Sequence, residues 1–228
     1  MSYGKDIGFV CAFLIAVWMV AGNGDYGGYL SSATIKVPVM NGSKGAQVVD
    51  ASISLVPGTG RVLVDIGDAY VDEYRAQPMI KDAASAGFGI AEACAEEYDV
   101  AVSFDCGGAM IEGESMGAAV AVGIAAAAMG REVMPSVAIT GAIRQDGRIL
   151  SAGKILDKAR ALKKEGVETF LVPEGNAIDT NYVERKVCAE GSECVGVVEK
   201  EEIDVGREVG INVIEVANLE DALEYMLK

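Results

Sequence analysis

Histidine is absent from this sequence. None of the 228 residues is a histidine, so Ser-His-Asp and Cys-His sites, which need an imidazole as general base, are excluded within this chain. The same absence removes the commonest transition-metal ligand and the His-Glu-x-x-His zinc motif. A nucleophilic serine or cysteine here needs another kind of base.

Cofactor motifs are also missing. The five cysteines include no Cys-x-x-Cys pair, which argues against a zinc site. Residues 147–154 only partly match an ATP-binding phosphate loop, because their glycines are wrongly spaced and Ile155 stands where Ser or Thr is required. We therefore expect no cofactor and no metal.

Basic residues are too few for a nucleic-acid surface. The chain has 19 Lys and Arg against 34 Asp and Glu, a formal net charge of −15, and affinity for nucleic acid depends largely on clustered cations. A hydrophobic content of 51% is enough for a sizeable core, so we expect one folded domain with a small appendage and no nucleic-acid partner.

The appendage is an apolar N-terminal stretch. Residues 7–21 carry no charge and follow Lys5, and their length lies between a signal-peptide core of about 7–15 residues and a membrane span of about 17–25. We expect a signal or membrane anchor over residues 1–28, with a buried core helix as the alternative, and a domain over 29–228 that is membrane-anchored or secreted and extracytoplasmic. Outside the cytoplasm Cys188 and Cys194 suit a small disulfide loop, with two free thiols as the alternative.

Apolar periodicity predicts a domain of mixed strands and helices. Strands are predicted at 30–40, 46–56, 61–66, 99–105, 136–143, 148–150, 167–172 and 212–216, and helices at 71–98, 153–165 and after Asn218. Turn residues at 41–42 and 57–60 predict hairpin connections. The polar stretch 177–202 is left unassigned.

The strongest chemical signal is a serine at the start of a predicted helix. Gly113-Glu-Ser115-Met-Gly117 opens a run of small residues, 118–130, and helix N-termini present backbone N–H groups that favour developing negative charge. The Gly-x-Ser-x-Gly pattern also matches the nucleophile elbow of α/β-hydrolases, but that site needs a histidine. A carboxylate, a tyrosine or a lysine remains as base. Lys154 and Lys158 lie four apart on a later helix, where two solvated lysines are the alternative.

Ordered sequence blocks narrow these alternatives. They are EGES at 112–115, AITG at 138–141, GRIL at 147–150, GKILDKA at 153–159 and EGVETFLVP at 165–173. In this order the stretch from about residue 30 to the C-terminus resembles the proteolytic domain of Lon proteases, which use a Ser-Lys dyad. The resemblance implies an α/β fold with mixed sheets, here behind an N-terminal hydrophobic segment.

The resemblance also implies roles for individual residues. Ser115 corresponds to the nucleophile and Lys158 to the base, while Lys154 falls on a position that is usually glycine. Thr140 corresponds to a threonine beside the lysine and takes an orienting role. Gly113 and Gly117 would let the backbone approach the substrate carbonyl.

Two features set the chain apart from bacterial Lon sequences. Glu114 stands where those usually have proline and Ala142 where they have glutamate, so the Gly-Glu-Ser form is closer to archaeal, membrane-associated Lon sequences. Glu112 and Glu114 are expected to stabilise Lys158 as a cation and raise its pKa, which would switch the dyad off until the loop rearranges.

Together these features predict an ATP-independent serine endopeptidase acting on peptides or unfolded proteins. It resembles short archaeal Lon-like proteases that have no ATPase domain, and the resemblance implies a homo-oligomer, a hexamer. Membrane attachment would run through residues 7–21 if they are not cleaved. The alternative is a non-catalytic, membrane-tethered interaction or assembly module that keeps the fold with its dyad held apart.

Overall fold

The domain combines helices with several small sheets, as the sequence predicts. The computed structural model describes residues 31–42, 45–65, 70–71, 73–105, 110–111, 113–187 and 194–228. Its strands are β1 Ser31–Met40, β2 Ala46–Pro57, β3 Val62–Asp65, β4 Tyr70–Val71, β5 Tyr98–Asp105, β6 Met110–Ile111, β7 Val137–Ile139, β8 Ala142–Ile143, β9 Ile149–Leu150, β10 Thr169–Pro173, β11 Ile178–Val187, β12 Val195–Asp204 and β13 Asn212–Val216. Its α-helices are α1 Glu73–Ile90, α2 Gly117–Met129, α3 Ile155–Lys164, α4 Val205–Val209 and α5 Leu219–Met226. The predicted α/β fold with mixed sheets is confirmed; the hydrophobic segment 7–21, Glu112 and Cys188 lie outside the described residues.

The largest sheet has the strand order β1-β2-β5-β3. β1 and β2 are antiparallel, as predicted, and the turn between them is closed by the Asn41 N–H, which donates to the Gly45 carbonyl at 2.9 Å. The second predicted hairpin is wrong: β2 pairs with β5, and β3 lies parallel to β5 on its other side. Residues 57–60 therefore carry the chain past β5 to the sheet edge.

A buried aspartate explains this departure. Asp99, at the start of β5 and 2% exposed, accepts hydrogen bonds from the backbone N–H groups of Thr59 and Arg61 at 2.8 and 2.9 Å, and also from the Arg61 side chain. These bonds tie the 57–60 turn to β5. Because the turn is held beside β5, β2 and β3 lie on opposite sides of β5 and do not pair with each other.

Helix α2 forms the centre of the molecule. Its residues are buried from Gly117 to Ala127, and small side chains let it lie close to both neighbours. A Cβ on Gly123 would stand 2.5 Å from Ile53 Cδ1 of β2, and one on Gly87 of α1 would stand 2.8 Å from the Ala121 carbonyl oxygen. The helix ends where Gly130 adopts a left-handed conformation, φ 63°. The run of small residues thus places α2 in the core, and half-buried Ser115 lies just before the first residue of this helix.

A second sheet, β13-β10-β7, has parallel strands. The predicted strand over 136–143 is divided in two, because the chain between β7 and β8 bends at Gly141, which has φ 150°. A Cβ on Gly141 would meet Ile149 Cγ2 at 2.5 Å. The Thr140 N–H still donates to the Leu171 carbonyl of β10 at 3.1 Å, whereas the Gly141 N–H turns to the segment before α2 and donates to the Ser115 carbonyl.

The polar stretch without a sequence assignment forms a long ribbon. β11 and β12 are antiparallel, paired from Ile178 with Asp204 to Val187 with Val195. Large apolar side chains on it are exposed, among them Tyr182 and Val198, so neither face has the clean alternation that marks a half-buried strand. Cys194 beside β12 is disulfide-bonded, and its predicted pairing with Cys188 stays a prediction.

Candidate active site

Ser115 lies in a short 3₁₀ turn, Glu114–Met116, immediately before α2. The turn is entered through Gly113 at φ 88°, a conformation that side chains rarely adopt, and no described atom lies within 4 Å of a Cβ built there. Gly117 differs from this, because a Cβ on it would stand 3.0 Å from Ile143 Cγ2 and 3.1 Å from Met79 Cγ. Close approach at Gly117 is therefore to the protein's own core.

The serine turn is hydrogen-bonded to the break between β7 and β8. The Ser115 carbonyl accepts from the Gly141 N–H at 2.8 Å and from the Thr140 hydroxyl at 3.1 Å, and the Ala118 N–H donates to the Gly141 carbonyl at 2.9 Å. Gly141 is not among the site residues that the sequence predicts. Its signal was a glycine following Thr140 at the end of an apolar run, where a strand is interrupted.

Helix α3 brings a lysine into the same place. Lys158 is 1% exposed, and its Nζ lies 2.7 Å from Ser115 Oγ and 3.0 Å from Thr140 Oγ1. Lys154 precedes the helix in a left-handed conformation and is exposed. Of the two lysines four residues apart, Lys158 alone contacts the serine.

Hydrogen-bond donors and acceptors determine how the amine is oriented. The Ser115 carbonyl can only accept, so the Thr140 hydroxyl donates to it and offers only lone pairs to Lys158. Lys158 must then donate one N–H to Thr140. When the amine is neutral, this leaves its lone pair free to accept the hydroxyl proton of Ser115.

Burial lowers the pKa of Lys158 from 10.5 to about 8, since an ammonium is poorly solvated in this pocket. The expectation that Glu114 raises this pKa is wrong, because Glu114 is exposed and the shift is downward with burial as its cause. Glu112 lies outside the described residues. A substantial fraction of the amine is neutral near pH 8, as a general base requires.

A metal site needs several ligating side chains grouped around one point. Across the described ranges, no group of three or more His, Cys, Asp or Glu side chains is placed to hold a metal ion. Ser115, Thr140 and Lys158 carry one amine and two hydroxyls, which is a proton-transfer set and not the oxygen-rich or thiolate set that metals select.

Residues 37–204 match the Lon protease (S16) C-terminal proteolytic domain family. The chain belongs to this family. The match runs from β1 to the end of β12 and includes the serine turn, the Thr140 break and helix α3. Lon-family membership agrees with the mixed α/β fold, and the family is one of serine peptidases.

Three Lon proteases show the level of identity to single sequences. The chain is 29% identical to a Lon protease of Halothermothrix orenii over 145 residues, 63% of this chain and 18% of that protein. It is 28% identical to Lon protease 1 of Thermus thermophilus over 134 residues, which are 58% of this chain and 17% of that protein. It is 27% identical to Lon protease 1 of Bacillus subtilis over 145 residues, which are 63% of this chain and 19% of that protein. The chain thus spans less than a fifth of the length of these relatives.

The described helices give no membrane span. None of those in the ranges given above is both long enough and apolar enough to cross a bilayer. The apolar stretch 7–21 is not among those ranges.

Proposed function

We propose that this Lon-family domain is a serine endopeptidase in which Lys158 activates Ser115. The observation that carries the proposal is the 2.7 Å separation between Lys158 Nζ and Ser115 Oγ, in a pocket that lowers the pKa of Lys158 to about 8. A base within hydrogen-bond reach, with a pKa near the working pH, is what general-base catalysis needs. A non-catalytic module with its dyad held apart would separate these two atoms.

Acylation begins with proton transfer. The neutral Lys158 amine accepts the Ser115 hydroxyl proton while Oγ attacks the peptide carbonyl carbon, and the carbonyl π electrons move to its oxygen. Thr140 keeps the amine oriented by accepting one of its N–H groups. The Lys158 ammonium then returns the proton to the leaving nitrogen, the C–N bond breaks, and an ester on Ser115 remains.

Deacylation repeats the sequence with water. Lys158, neutral again, accepts a proton from water as its oxygen attacks the ester carbonyl carbon. Collapse of the second tetrahedral intermediate breaks the bond to Ser115 Oγ, and Lys158 reprotonates the serine. The base is regenerated without a cofactor, and in the proposed reaction neither step uses ATP.

The developing oxyanion needs backbone donors, and those of the helix start are partly occupied. The Gly117 N–H donates to the Glu114 carbonyl and the Ala118 N–H to the Gly141 carbonyl. We therefore assign the oxyanion to the N–H groups of Ser115 and Met116 together with the preceding loop.

Hydrolysis of fluorescent peptides and of casein, an unfolded protein, tests the proposal. We expect activity without ATP that is abolished in Ser115→Ala and Lys158→Ala. Lys154→Ala is the matched control, because it removes an exposed lysine next to the same helix. Hydrolysis that persists in purified Ser115→Ala would refute the proposal.

We further propose that residues 7–21 direct the domain to a membrane or out of the cytoplasm, and that the domain assembles as a homo-hexamer. The support is the uncharged stretch itself and the Lon resemblance. Fractionation of cells expressing the full chain tests the first, since deletion of 7–21 should release the protein from membranes. Analytical ultracentrifugation tests the second; a monomer at micromolar concentration would contradict it.

A further inference from the structure

We propose that Asp179, at the foot of the β11–β12 ribbon, is a positioning residue for Lys158. Its hydrogen bond to the first turn of α3 fixes the position of this helix, and so the position of the Lys158 amine next to Ser115. The ribbon is thereby connected to the site through α3. The inference rests on the proposed peptidase function for its kinetic test and on geometry for its second test.

Helix α3 lacks a cap from its own sequence. Lys154 stands at the N-cap position and makes no capping hydrogen bond with its side chain. The first N–H groups of a helix have no partner inside it. Here the Leu156 N–H donates to Asp179 Oδ2 at 3.0 Å, so the capping carboxylate comes from a different element, β11.

A second side chain holds the approach to the helix. Asn176 Oδ1 accepts from the Ala152 N–H at 3.0 Å and from the Ser151 hydroxyl at 3.1 Å. Asp179 is itself fixed, because its Oδ1 accepts from the Thr180 N–H at 2.8 Å. Asn176 binds the backbone before Lys154 and Asp179 binds the backbone after it. We call this pair of side chains the clamp.

The clamp acts close to the reacting atoms. Leu156 precedes Lys158 by two residues, and the Lys158 N–H donates to the Lys154 carbonyl at 3.1 Å, in the same helical turn. Movement of that turn displaces Nζ from a contact of 2.7 Å. A misplacement of about 1 Å can cost about a hundredfold in rate.

The same ribbon offers a matched control. Asp204 pairs with Ile178 in the ribbon register and caps α4, accepting from the Arg207 N–H at 2.9 Å. Both aspartates thus cap a helix from one end of the ribbon. Of these two helices, only α3 carries a residue of the proposed site. Loss of either cap should therefore lower stability by a similar amount, but only loss of the Asp179 cap should lower kcat.

The kinetic test compares Asp179→Ala, Asp179→Asn and Asp204→Ala in peptide hydrolysis. We expect Asp179→Ala to lower kcat about tenfold to a hundredfold with KM within about twofold. Asp179→Asn keeps an oxygen acceptor for Leu156 and should retain kcat within about threefold. Asp204→Ala should leave kcat unchanged. An unchanged kcat in Asp179→Ala, or an equal loss in Asp204→Ala, would overturn the inference.

The second test does not need activity. Hydrogen exchange of the Leu156 amide should accelerate at least tenfold in Asp179→Ala and stay unchanged in Asp204→Ala, and a crystal structure of Asp179→Ala should show Nζ beyond hydrogen-bond distance of Ser115 Oγ. Unaltered exchange and an unaltered 2.7 Å contact would refute the positioning role even if hydrolysis itself is never observed. Should Asp179→Ala fail to fold, Asp179→Gln, whose longer side chain displaces the acceptor, replaces it in both tests.

Discussion

Lys158 and Asp99 are two ionisable residues whose side chains have little access to solvent, and their surroundings stabilise their charged forms to different extents. Lys158 is 1% exposed and Asp99 is 2% exposed. Hydrogen bonds from the Arg61 side chain and from the backbone of Thr59 and Arg61 lower the pKa of Asp99 to about 2, so its charged form is stabilised. Among the described residues, Lys158 Nζ has the hydroxyls of Ser115 and Thr140 as hydrogen-bond partners, and burial lowers the pKa of Lys158 to about 8, so its charged form is destabilised.

The difference separates a structural charge from a reactive one. Asp99 holds the 57–60 turn against β5, and its ionised carboxylate accepts four hydrogen bonds, from the backbone N–H groups of Thr59 and Arg61 and from Nε and Nη2 of Arg61. The ammonium form of Lys158 is less stable than that of an ordinary lysine, so a larger fraction of the amine has a free lone pair near pH 8. A protein that only needed rigidity would pair Lys158 with a carboxylate or replace it with an apolar side chain.

Lys158→Met should have the largest effect, on both hydrolysis and stability. We expect hydrolysis to fall about 10³-fold or more, because the general base is gone. We also expect greater stability at pH 7, by on the order of 1–3 kcal/mol, because the buried ammonium with its lowered pKa is removed. Urea denaturation and peptide hydrolysis on the same sample measure both effects, with exposed Lys154→Met as control. Lower stability in Lys158→Met would contradict our account of the pocket.

The pH dependence of hydrolysis and of stability tests the lowered pKa of Lys158. Since only neutral Lys158 is active, kcat/KM should rise about tenfold per pH unit below its pKa of about 8 and level off above it. The destabilising effect of Lys158 is fully present below pH 8 and is relieved between about 8 and 10.5, where the unfolded chain binds the additional proton. Steady-state hydrolysis from pH 6 to 10 checks the first statement; a flat profile would contradict it.

Asp99→Asn tests the structural charge. We expect the melting temperature to drop by several degrees, while hydrolysis per folded molecule stays unchanged. Because the folded pKa is lowered to about 2 from 3.8, the contribution of the wild-type carboxylate is present above pH 4 and lost as pH falls toward 2. Thermal melts at pH 2 to 7 should therefore converge for the two proteins at the acid end. A constant difference across that range would refute the assignment.

The smallest expected effect is at Lys154. This residue has φ 60°, a left-handed conformation that costs a non-glycine side chain about 1 kcal/mol. Lys154→Gly should therefore raise the unfolding free energy by up to about 1 kcal/mol, reduced by the greater chain entropy of glycine in the unfolded state. Chemical denaturation measures it, with hydrolysis expected to stay within twofold. A destabilised variant would mean that Lys154 makes contacts which offset its strain.

Local patterns were enough to predict much of this fold. The run of small residues after Gly117 predicted a helix with a serine at its start, and apolar spacing predicted α3, whose buried side includes Lys158. The cap of α5 was also predictable, since Asn218 accepts from the Asp221 N–H three residues on. Each of these signals lies within one element and its neighbours.

Long-range partners were not predictable from such patterns. Asp99 is distant in sequence from Thr59, and it accepts a hydrogen bond from the Thr59 N–H. This contact holds the turn beside β5, so the expected hairpin does not form. Asp179 caps α3 in the same non-local way. The ribbon β11–β12 was missed because its strands carry charged side chains on both faces. Family resemblance, not composition, chose Lys158 over Lys154, because both lysines fit the spacing argument.

The central claim is that Lys158 is a poorly solvated amine held against Ser115. Its most direct measurement is an NMR titration of the lysine side chains with carbon-13 at Cε, assigned by comparison with Lys158→Met. We predict that the signal lost in Lys158→Met titrates near pH 8, below the ordinary lysine value of 10.5. A Lys158 that titrates at 10.5 or above would contradict the account, because its amine would then be fully charged at neutral pH.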